Sequence, residues 1–139
     1  GPADLDAVGQ ALHFVSRPPL VLRGLDLSQL AGVFGRVAVY IGHDSGVTHL
    51  AALVGVRTIA IFGPTDHHRW GPYGSHVSIV RGLPCSCESW ETVKLCVEKP
   101  CLHVQVEKIL EASRRTSRGT DSTNPHNSLE TALSLATPQ

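Results

Sequence analysis

Apolar residues recur along the first third of the chain at spacings that predict helices. In the first stretch they lie three or four positions apart, which predicts a helix that begins after Asp4 and ends near Ser16, before a pair of prolines. A short apolar run at residues 20–22 predicts a strand. Asp26 then precedes a second helical pattern, whose apolar face consists of Leu27, Leu30, Ala31 and Phe34. The chain is therefore expected to begin as helix, strand and helix.

The middle of the chain alternates strand and helix. Residues 37–41 are consecutive apolar residues, as in a strand covered on both faces, so we expect a central strand there. The next segment has its apolar residues on one helical face and ends at Gly55, a residue suited to the left-handed conformation at a helix end. Residues 58–62 predict a second strand, closed by a turn at residues 63–65. This alternation predicts an α/β fold with right-handed parallel crossovers in a doubly wound, Rossmann-like sheet.

The last part of the chain changes in character. Residues 77–80 predict a further strand, and a last helical face is formed by Leu102, Val106, Ile109 and Leu110. From Ser113 to Gln139 the sequence is rich in Ser, Thr, Arg and Asn without a sustained apolar period. We therefore expect a folded domain over residues 1–112 and a largely disordered tail over residues 113–139.

Composition narrows the classes of function. The 139 residues are 42% hydrophobic, enough for one domain with a core, and 12 Lys and Arg offset 12 Asp and Glu. Without net positive charge the chain lacks the field that holds a polynucleotide backbone, which argues against nucleic acid as a partner. No apolar run approaches the roughly 18 residues of a transmembrane segment, and the N-terminal residues do not resemble a signal peptide. We expect a soluble cytoplasmic protein and, since Met is absent, a piece of a longer one.

The candidate chemistry lies where the first strand of the middle region passes into its helix. Parallel α/β sheets bind ligands beyond the carboxyl ends of their strands, and a helix N-terminus offers unpaired N–H groups to a diphosphate. Ser45 would add a hydroxyl, Gly46 would allow a ligand close to the backbone, and His49 lies one turn further on the same face. Asp44 would repel a diphosphate, so we expect it to cap the helix, order the loop or face a sugar hydroxyl.

A purely structural interpretation of the same segment is also open. In it, Asp44 or Ser45 is a helix N-cap, Gly42 and Gly46 form a turn, and His49 packs against its neighbours. Capping residues are common at helix starts, so the local pattern alone favours this interpretation.

The wider segment DSGVTHLAALVGVRTIAIFGPTDHHRWGPYG resembles the signature of glycosyltransferase family 9, the ADP-heptose:lipopolysaccharide heptosyltransferases. The family pattern is a D-[ST]-G-x-x-H-L-x-A-A-x-G-x-P helix, an apolar strand, F-G-P-T-x-P and a Trp-containing loop. The residues that match in order are Asp44, Ser45, Gly46, His49, Leu50, Ala51, Ala52, Gly55, Phe62, Gly63, Pro64, Thr65 and Trp70. The sequence departs from the pattern at His43, usually Asn, and at Arg57 and His67, usually Pro; His67 alters the loop beside the donor.

The resemblance implies a GT-B enzyme in which two Rossmann-like domains face each other and the C-terminal one holds the nucleotide-sugar. Residues 1–112 correspond to only the latter part of that second domain. By resemblance, the diphosphate and sugar of the donor are contacted by Asp44, Ser45, Gly46, His49, Gly63, Pro64 and Thr65. The general base belongs to the N-terminal domain, so no residue of this chain is assigned as catalytic.

The resemblance also implies the partners and the place of action. The donor would be an ADP-sugar and the acceptor the lipopolysaccharide core, reached in the cytoplasm or peripherally at the inner face of the inner membrane. No metal is required if the helix N-terminus and a protonated His49 neutralise the departing ADP. A second hypothesis, of a different class, is a noncatalytic remnant or metal-stabilised module that binds nucleotide weakly or not at all.

Four cysteines lie close together in the sequence, at Cys85, Cys87, Cys96 and Cys101. Four thiolates suit zinc, but C-x-C spacing fits a metal less well than a two-residue spacer. A zinc ion or cluster, a disulfide and free loop thiols all stay open, and we favour free thiols. Because the loop follows the strand and turn of the pocket, we expect it not to be required for nucleotide binding.

Overall fold

The computed structural model describes residues 5–87 and 89–115. Its elements, in chain order, are α1 (Leu5–His13), α2 (Leu27–Phe34), β1 (Tyr40–His43), α3 (Gly46–Leu53), β2 (Thr58–Phe62), α4 (His67–Trp70), β3 (Val77–Arg81), α5 (Trp90–Leu95), a 3-10 turn (Pro100–Leu102) and α6 (Val106–Arg115). No helix within the described ranges is long and apolar enough to cross a membrane.

The described strands form one parallel sheet in the order β1-β2-β3. This confirms the α/β class. The middle strand, β2, carries the fully buried side chains of Ile59, Ala60 and Phe62, and its buried Thr58 hydroxyl donates a hydrogen bond to the Val56 carbonyl at 2.8 Å. A strand with a neighbour on each side and apolar cover on both faces needs this continuous run of buried side chains.

The first strand differs from the sequence prediction in both bounds and place. It comprises residues 40–43 instead of 37–41, and it lies at one edge of the described sheet instead of its centre. Residues 20–22, predicted as a strand, form none, and the side chain of Leu20 is 85% exposed. An apolar run predicts β-propensity, but a strand exists only where a partner accepts its hydrogen bonds.

The helices begin largely where the caps predict. Asp26 accepts the Gln29 N–H at 2.8 Å while Gln29 Oε1 accepts the Asp26 N–H at 3.0 Å, a capping box that starts α2. Helix α3 ends as expected before Gly55, whose φ is +86°. Helix α1 ends at His13, three residues earlier than predicted. The short helices α4 and α5 were not predicted from the sequence.

A small apolar core joins α2, α3 and β1. Phe34, Ala51 and Val56 are buried at its centre, and the rings of Phe34 and Tyr40 meet edge to face with centroids 5.0 Å apart. Small alanines on the inner face of α3 let this helix lie close to the sheet. The position of α3, and with it that of the segment that precedes this helix, therefore depends on the packing in this core.

Arg57 joins the start of β2 to the end of α6. Its guanidinium donates hydrogen bonds to the carbonyls of Ala112, at 2.9 Å, and Ser113. A cation near a helix C-terminus also interacts favourably with the helix dipole. This contact accommodates the departure from the family pattern at position 57. Ser113, where the predicted tail begins, lies within α6. This helix ends at Arg115, three residues beyond the predicted domain boundary, and the remainder of the predicted tail lies outside the described residues.

We expect Arg57→Met to lower the free energy of unfolding by about 1–2 kcal/mol, because charge-assisted hydrogen bonds to two carbonyls are lost from a half-buried position. Guanidinium chloride unfolding followed by circular dichroism measures the change. Arg36→Met, at an exposed position, is the control and should stay within about 0.5 kcal/mol of the parent chain. Equal effects of the two substitutions would contradict the proposed contact.

Candidate functional site

The candidate site lies at the carboxyl ends of the strands. Because β1, β2 and β3 are parallel, the loops that follow them meet at one edge of the sheet. A cavity of about 360 Å³ opens there, and its lining brings together residues 43–44, residues 61–63 and residues that follow the cysteine loop. The lining residues are His43, Asp44, Ile61, Phe62, Gly63, Cys101, Leu102 and Val104. The structure thus brings Asp44 and Gly63 of the sequence-based site into one cavity.

The start of α3 exposes hydrogen-bond donors. Ser45 occupies the N-cap position, but its hydroxyl forms no capping bond to the helix backbone. Within the described residues, the N–H groups of Gly46 and Val47 have no acceptor, as expected for the first turn of a helix without a side-chain cap. A Cβ added at Gly46 would meet no atom within 4 Å. An anion can therefore approach this helix end closely.

Thr48 organises this helix start, and the sequence analysis did not single it out. Its side chain is fully buried; its hydroxyl donates to the His43 carbonyl and lies 3.3 Å from the Tyr40 hydroxyl and 3.2 Å from the Ser45 hydroxyl. These contacts hold the end of β1 against the first turn of α3. The signal in the sequence is the Ser-x-x-Thr spacing, which places Thr48 at the third position of the helix.

Ser45 holds the N-cap position of α3, as the structural interpretation allowed, and the alternative that Asp44 caps the helix is wrong. Its N–H donates to the Ile61 carbonyl at 3.1 Å and continues the pairing of β1 with β2. Within the described part of the chain, its half-buried carboxylate has no hydrogen-bond or ion-pair partner. His49 is exposed on α3, so the suggestion that it is a packing residue is also wrong. Both side chains are free to meet a ligand.

The turn after β2 contributes a second set of groups. Pro64 is buried, and the Thr65 hydroxyl is buried without a hydrogen-bond partner among the described residues. Asp66 accepts the His68 N–H at 2.9 Å and caps the short helix α4. A buried hydroxyl without a partner is costly unless a ligand or water pairs with it, so Thr65 is a candidate contact.

His67 occupies the position where the family pattern has Pro. Its ring centroid lies 6.3 Å from that of Phe62 and 4.0 Å from that of His68. Burial lowers the pKa of His67 below its ordinary value of 6.5; the positive charges of His68 and Arg81 lower it further, and Asp66 opposes them. The imidazole is therefore neutral at pH 7 and does not add a positive charge beside the turn.

The cysteine loop borders the same edge of the sheet. A second cavity, of about 230 Å³, has the 63–64 turn on one side and Arg81 with the cysteine loop on the other. Cys101 is buried and lines both cavities. The Leu83 N–H donates to the Pro100 carbonyl at 3.0 Å, which brings the end of the loop back beside the end of β3. That the loop is not required for nucleotide binding stays a prediction.

Three thiols converge inside this loop. The Sγ atoms of Cys85, Cys87 and Cys101 all lie within 4.8 Å of one another, and all four cysteines are free thiols. Burial and the neighbouring thiol of Cys85 raise the pKa of Cys87 to about 12 and also raise the pKa of Cys101. At Cys85, burial acts in the same direction and is the largest single effect, but hydrogen bonds from Cys87 and Cys101 together outweigh it and lower the pKa. The cluster could hold a metal ion.

The fold and the site together define a parallel α/β unit of the Rossmann-like class, with an open helix N-terminus at the carboxyl edge of its sheet. The sequence profile of glycosyltransferase family 9 (heptosyltransferase) matches residues 7–102, and the chain belongs to this family. The candidate residues at positions 44–49 and 63–65 lie inside the matched range.

Individual relatives agree with this assignment. The chain is 33% identical over 89 residues to lipopolysaccharide heptosyltransferase 1 of Pseudomonas aeruginosa, an alignment that covers 63% of this chain and 23% of that protein. It is 32% identical over 76 residues to lipopolysaccharide heptosyltransferase 3 of Escherichia coli, covering 53% of this chain and 22% of that protein. The chain thus spans less than a quarter of the length of these relatives.

A solved structure supports the fold. The crystal structure of the glycosyl transferase family 9 from Veillonella parvula matches with a TM-score of 0.71 and 25% sequence identity, over 83% of this chain and 34% of the other. The match confirms the mixed α/β architecture.

Proposed function

We propose that this chain supplies donor-binding elements of a GT-B heptosyltransferase, which transfers heptose from ADP-heptose to a lipopolysaccharide core acceptor. Family membership supports the reaction class, and the names of the two relatives support heptose as the transferred sugar and lipopolysaccharide as the acceptor. That the sugar is carried by ADP rests on the family resemblance. The observation that carries the binding assignment is the start of α3. There, two backbone N–H groups that find no acceptor in the described part of the chain adjoin the open space beside Gly46.

The diphosphate of the donor belongs at this helix start. The N–H groups of Gly46 and Val47 can donate to its oxygens, and the positive end of the helix dipole favours its charge. Ser45 and His49 add side-chain donors within one turn. Because the Thr48 hydroxyl donates to the His43 carbonyl, it accepts from the Ser45 hydroxyl in the free chain, and Ser45 would exchange this bond for one to the diphosphate.

Two further groups, Asp44 in the cavity and Thr65 in the turn after β2, suit the sugar. The Asp44 carboxylate is a hydrogen-bond acceptor, which suits a hydroxyl better than a phosphate. The Thr65 hydroxyl is buried, has no partner among the residues that the structure describes, and can pair with a second polar atom of the donor. Together they would orient the sugar at the edge of the sheet while α3 holds the diphosphate.

In this proposal the chain assists departure of ADP electrostatically. Negative charge that develops on the leaving diphosphate is stabilised by fixed donors, and His49, when protonated, adds a positive charge. This chemistry does not require a metal ion. The general base would come from an acceptor-binding domain across a GT-B cleft, in the cytoplasm or at the inner face of the inner membrane, where the lipopolysaccharide core is built.

We expect Gly46→Val to weaken ADP binding by about tenfold or more, because the new side chain fills the space through which the diphosphate reaches two N–H groups. His49→Ala should weaken it in the same direction. Isothermal titration calorimetry with ADP measures both effects.

The matched control for this experiment is Gly32→Val in α2. A Cβ at Gly32 also meets nothing within 4 Å, and this glycine does not line the carboxyl-edge cavities, so ADP affinity should not change. If Gly46→Val and His49→Ala both retained full affinity with intact circular dichroism spectra, the diphosphate assignment would be wrong. If the parent chain bound no ADP, the second hypothesis, a noncatalytic or metal-stabilised module, would be favoured.

A further inference from the structure

We propose that Cys85, Cys87, Cys96 and Cys101 bind one zinc ion through four thiolates, and that this ion fastens the segment 82–102 to the carboxyl edge of the sheet. This inference is independent of the donor-binding proposal. It replaces the preference for free thiols that the sequence spacing suggested.

The first argument is the convergence of sulfur atoms from distant positions. The Sγ atoms of Cys85, Cys87 and Cys101 lie within 4.8 Å of one another. Four sulfurs at about 2.3 Å from a tetrahedral zinc ion are about 3.8 Å apart, so the observed arrangement needs only a small contraction. The C-x-C spacing, which seemed unfavourable for a metal, places both of its sulfurs within reach of Cys101.

Cys96 can complete the set. It lies at the C-terminal end of α5, where its N–H donates to the Val93 carbonyl at 3.1 Å, and its Sγ would move towards the three convergent sulfurs when the ion binds. Its Sγ accepts the Lys99 N–H at 3.3 Å, as the Sγ of Cys85 accepts the Cys87 N–H at 3.3 Å. Backbone N–H groups directed at sulfur stabilise thiolates and orient metal ligands.

The second argument is the scarcity of apolar core in this segment. Of its described side chains, only those of Val93 and Cys101 are buried. Leu95 and Val97 are 85% and 96% exposed. A connection of this length that contributes so little apolar surface to a core requires another source of stability, and small folds commonly use a structural metal.

The segment nevertheless follows a defined path close to the sheet. An added Cβ at Gly82 would lie 2.3 Å from the Cys101 carbonyl oxygen, so the two backbones are in direct contact. The side chain of Cys101 is buried. A zinc ion bound by Cys101 and by residues from the start of the loop would fasten both ends of the loop at this point.

The charges and the alternatives also favour zinc. Four thiolates around Zn²⁺ leave net negative charge, and Arg81 lines the same cavity as three of the cysteines. A disulfide would use two sulfurs of the convergent trio and leave the third without a role. Zinc is not redox-active, and its preference for four sulfur ligands matches the number of cysteines available.

The test is the zinc content of the purified chain after exchange into metal-free buffer. Native mass spectrometry and elemental analysis should find one zinc ion per chain, and replacement by Co²⁺ should produce the absorption of tetrahedral cobalt with thiolate charge transfer. Cys85→Ser and Cys96→Ser, both at half-buried positions, should lose the stoichiometric zinc, as should Cys101→Ser at its buried position. Ser86→Ala, an exposed residue between two of the ligands, is the matched control and should retain it.

A second readout tests the structural role. Chelation should lower the melting temperature of the parent chain and of Ser86→Ala, and it should not change that of Cys96→Ser. A chain without zinc in which all four thiols react with a thiol reagent under native conditions would overturn the proposal. So would a disulfide detected by mass, or a coloured iron–sulfur protein. Each of these results could occur whether or not the chain binds ADP, so the two proposals fail separately.

Discussion

Residues 1–139 by themselves are expected to release ADP from ADP-heptose no faster than buffer does, even when a lipopolysaccharide acceptor is present. Sugar transfer needs an acceptor hydroxyl that is positioned and deprotonated, and positioning together with general-base catalysis contributes many orders of magnitude to a rate. The family resemblance assigns the base to a domain with no counterpart in this sequence. An assay that couples ADP release to a chromogenic reaction, with an active heptosyltransferase as positive control, measures the difference.

The carboxylates near the pocket give this expectation its structural basis. Asp66 already accepts the His68 N–H as the cap of α4, and Asp44 lies beside the helix start assigned to the diphosphate. If acceptor-dependent ADP release were observed and Asp66→Asn abolished it, the expectation would be wrong and Asp66 would be the base.

Phe62→Ala is expected to lower the free energy of unfolding by about 3–5 kcal/mol. Phe62 is fully buried at the end of the central strand, and its ring lies against His67 of the following turn. Truncation removes apolar contacts and leaves a cavity at the point where β2 passes into the 63–65 turn. Chemical unfolding followed by circular dichroism measures the loss. Because Phe62 also lines the cavity that contains Asp44, any folded variant should bind ADP more weakly than the parent chain.

The control for this substitution is Phe14→Ala. The side chain of Phe14 is 90% exposed, so its truncation should change the stability by no more than about 0.5 kcal/mol. The same residue type is thus removed from two environments. Similar losses at both positions would show that Phe62 does not contribute as a core residue.

The local elements of this chain were predicted well because their signals lie within a few residues. Strand β2 occupies the residues predicted for it, since a continuous β-branched and aromatic run needs no distant information. The capping box at Asp26 and the left-handed Gly55 marked one helix start and one helix end. The helix after the DSG motif was also predicted, and the order of motif residues indicated the family before any contact was known.

Errors in the prediction arose where an element depends on a neighbour distant in sequence. Residues 20–22 have the composition of a strand but form none, and β1 lies at an edge of the described sheet. In the sequence, Arg57 is only a departure from the family pattern. In the structure, its guanidinium donates hydrogen bonds to two carbonyls of α6. Local composition sets propensity, whereas hydrogen-bond partners across the sheet and between helices decide which propensities are realised.

By itself, the sequence determined the α/β class, the helix start that offers donors to an anion, and the family, because each is encoded in short-range periodicity and in residue order. The tertiary structure decided that Thr48 holds this helix start and that the Asp44 carboxylate has no partner among the described residues. It also brought Cys101 to Cys85 and Cys87, beside the turn at residues 63–64. The physical reason is that side chains distant in sequence meet only once the backbone path is complete, and spacing along the chain does not contain that path.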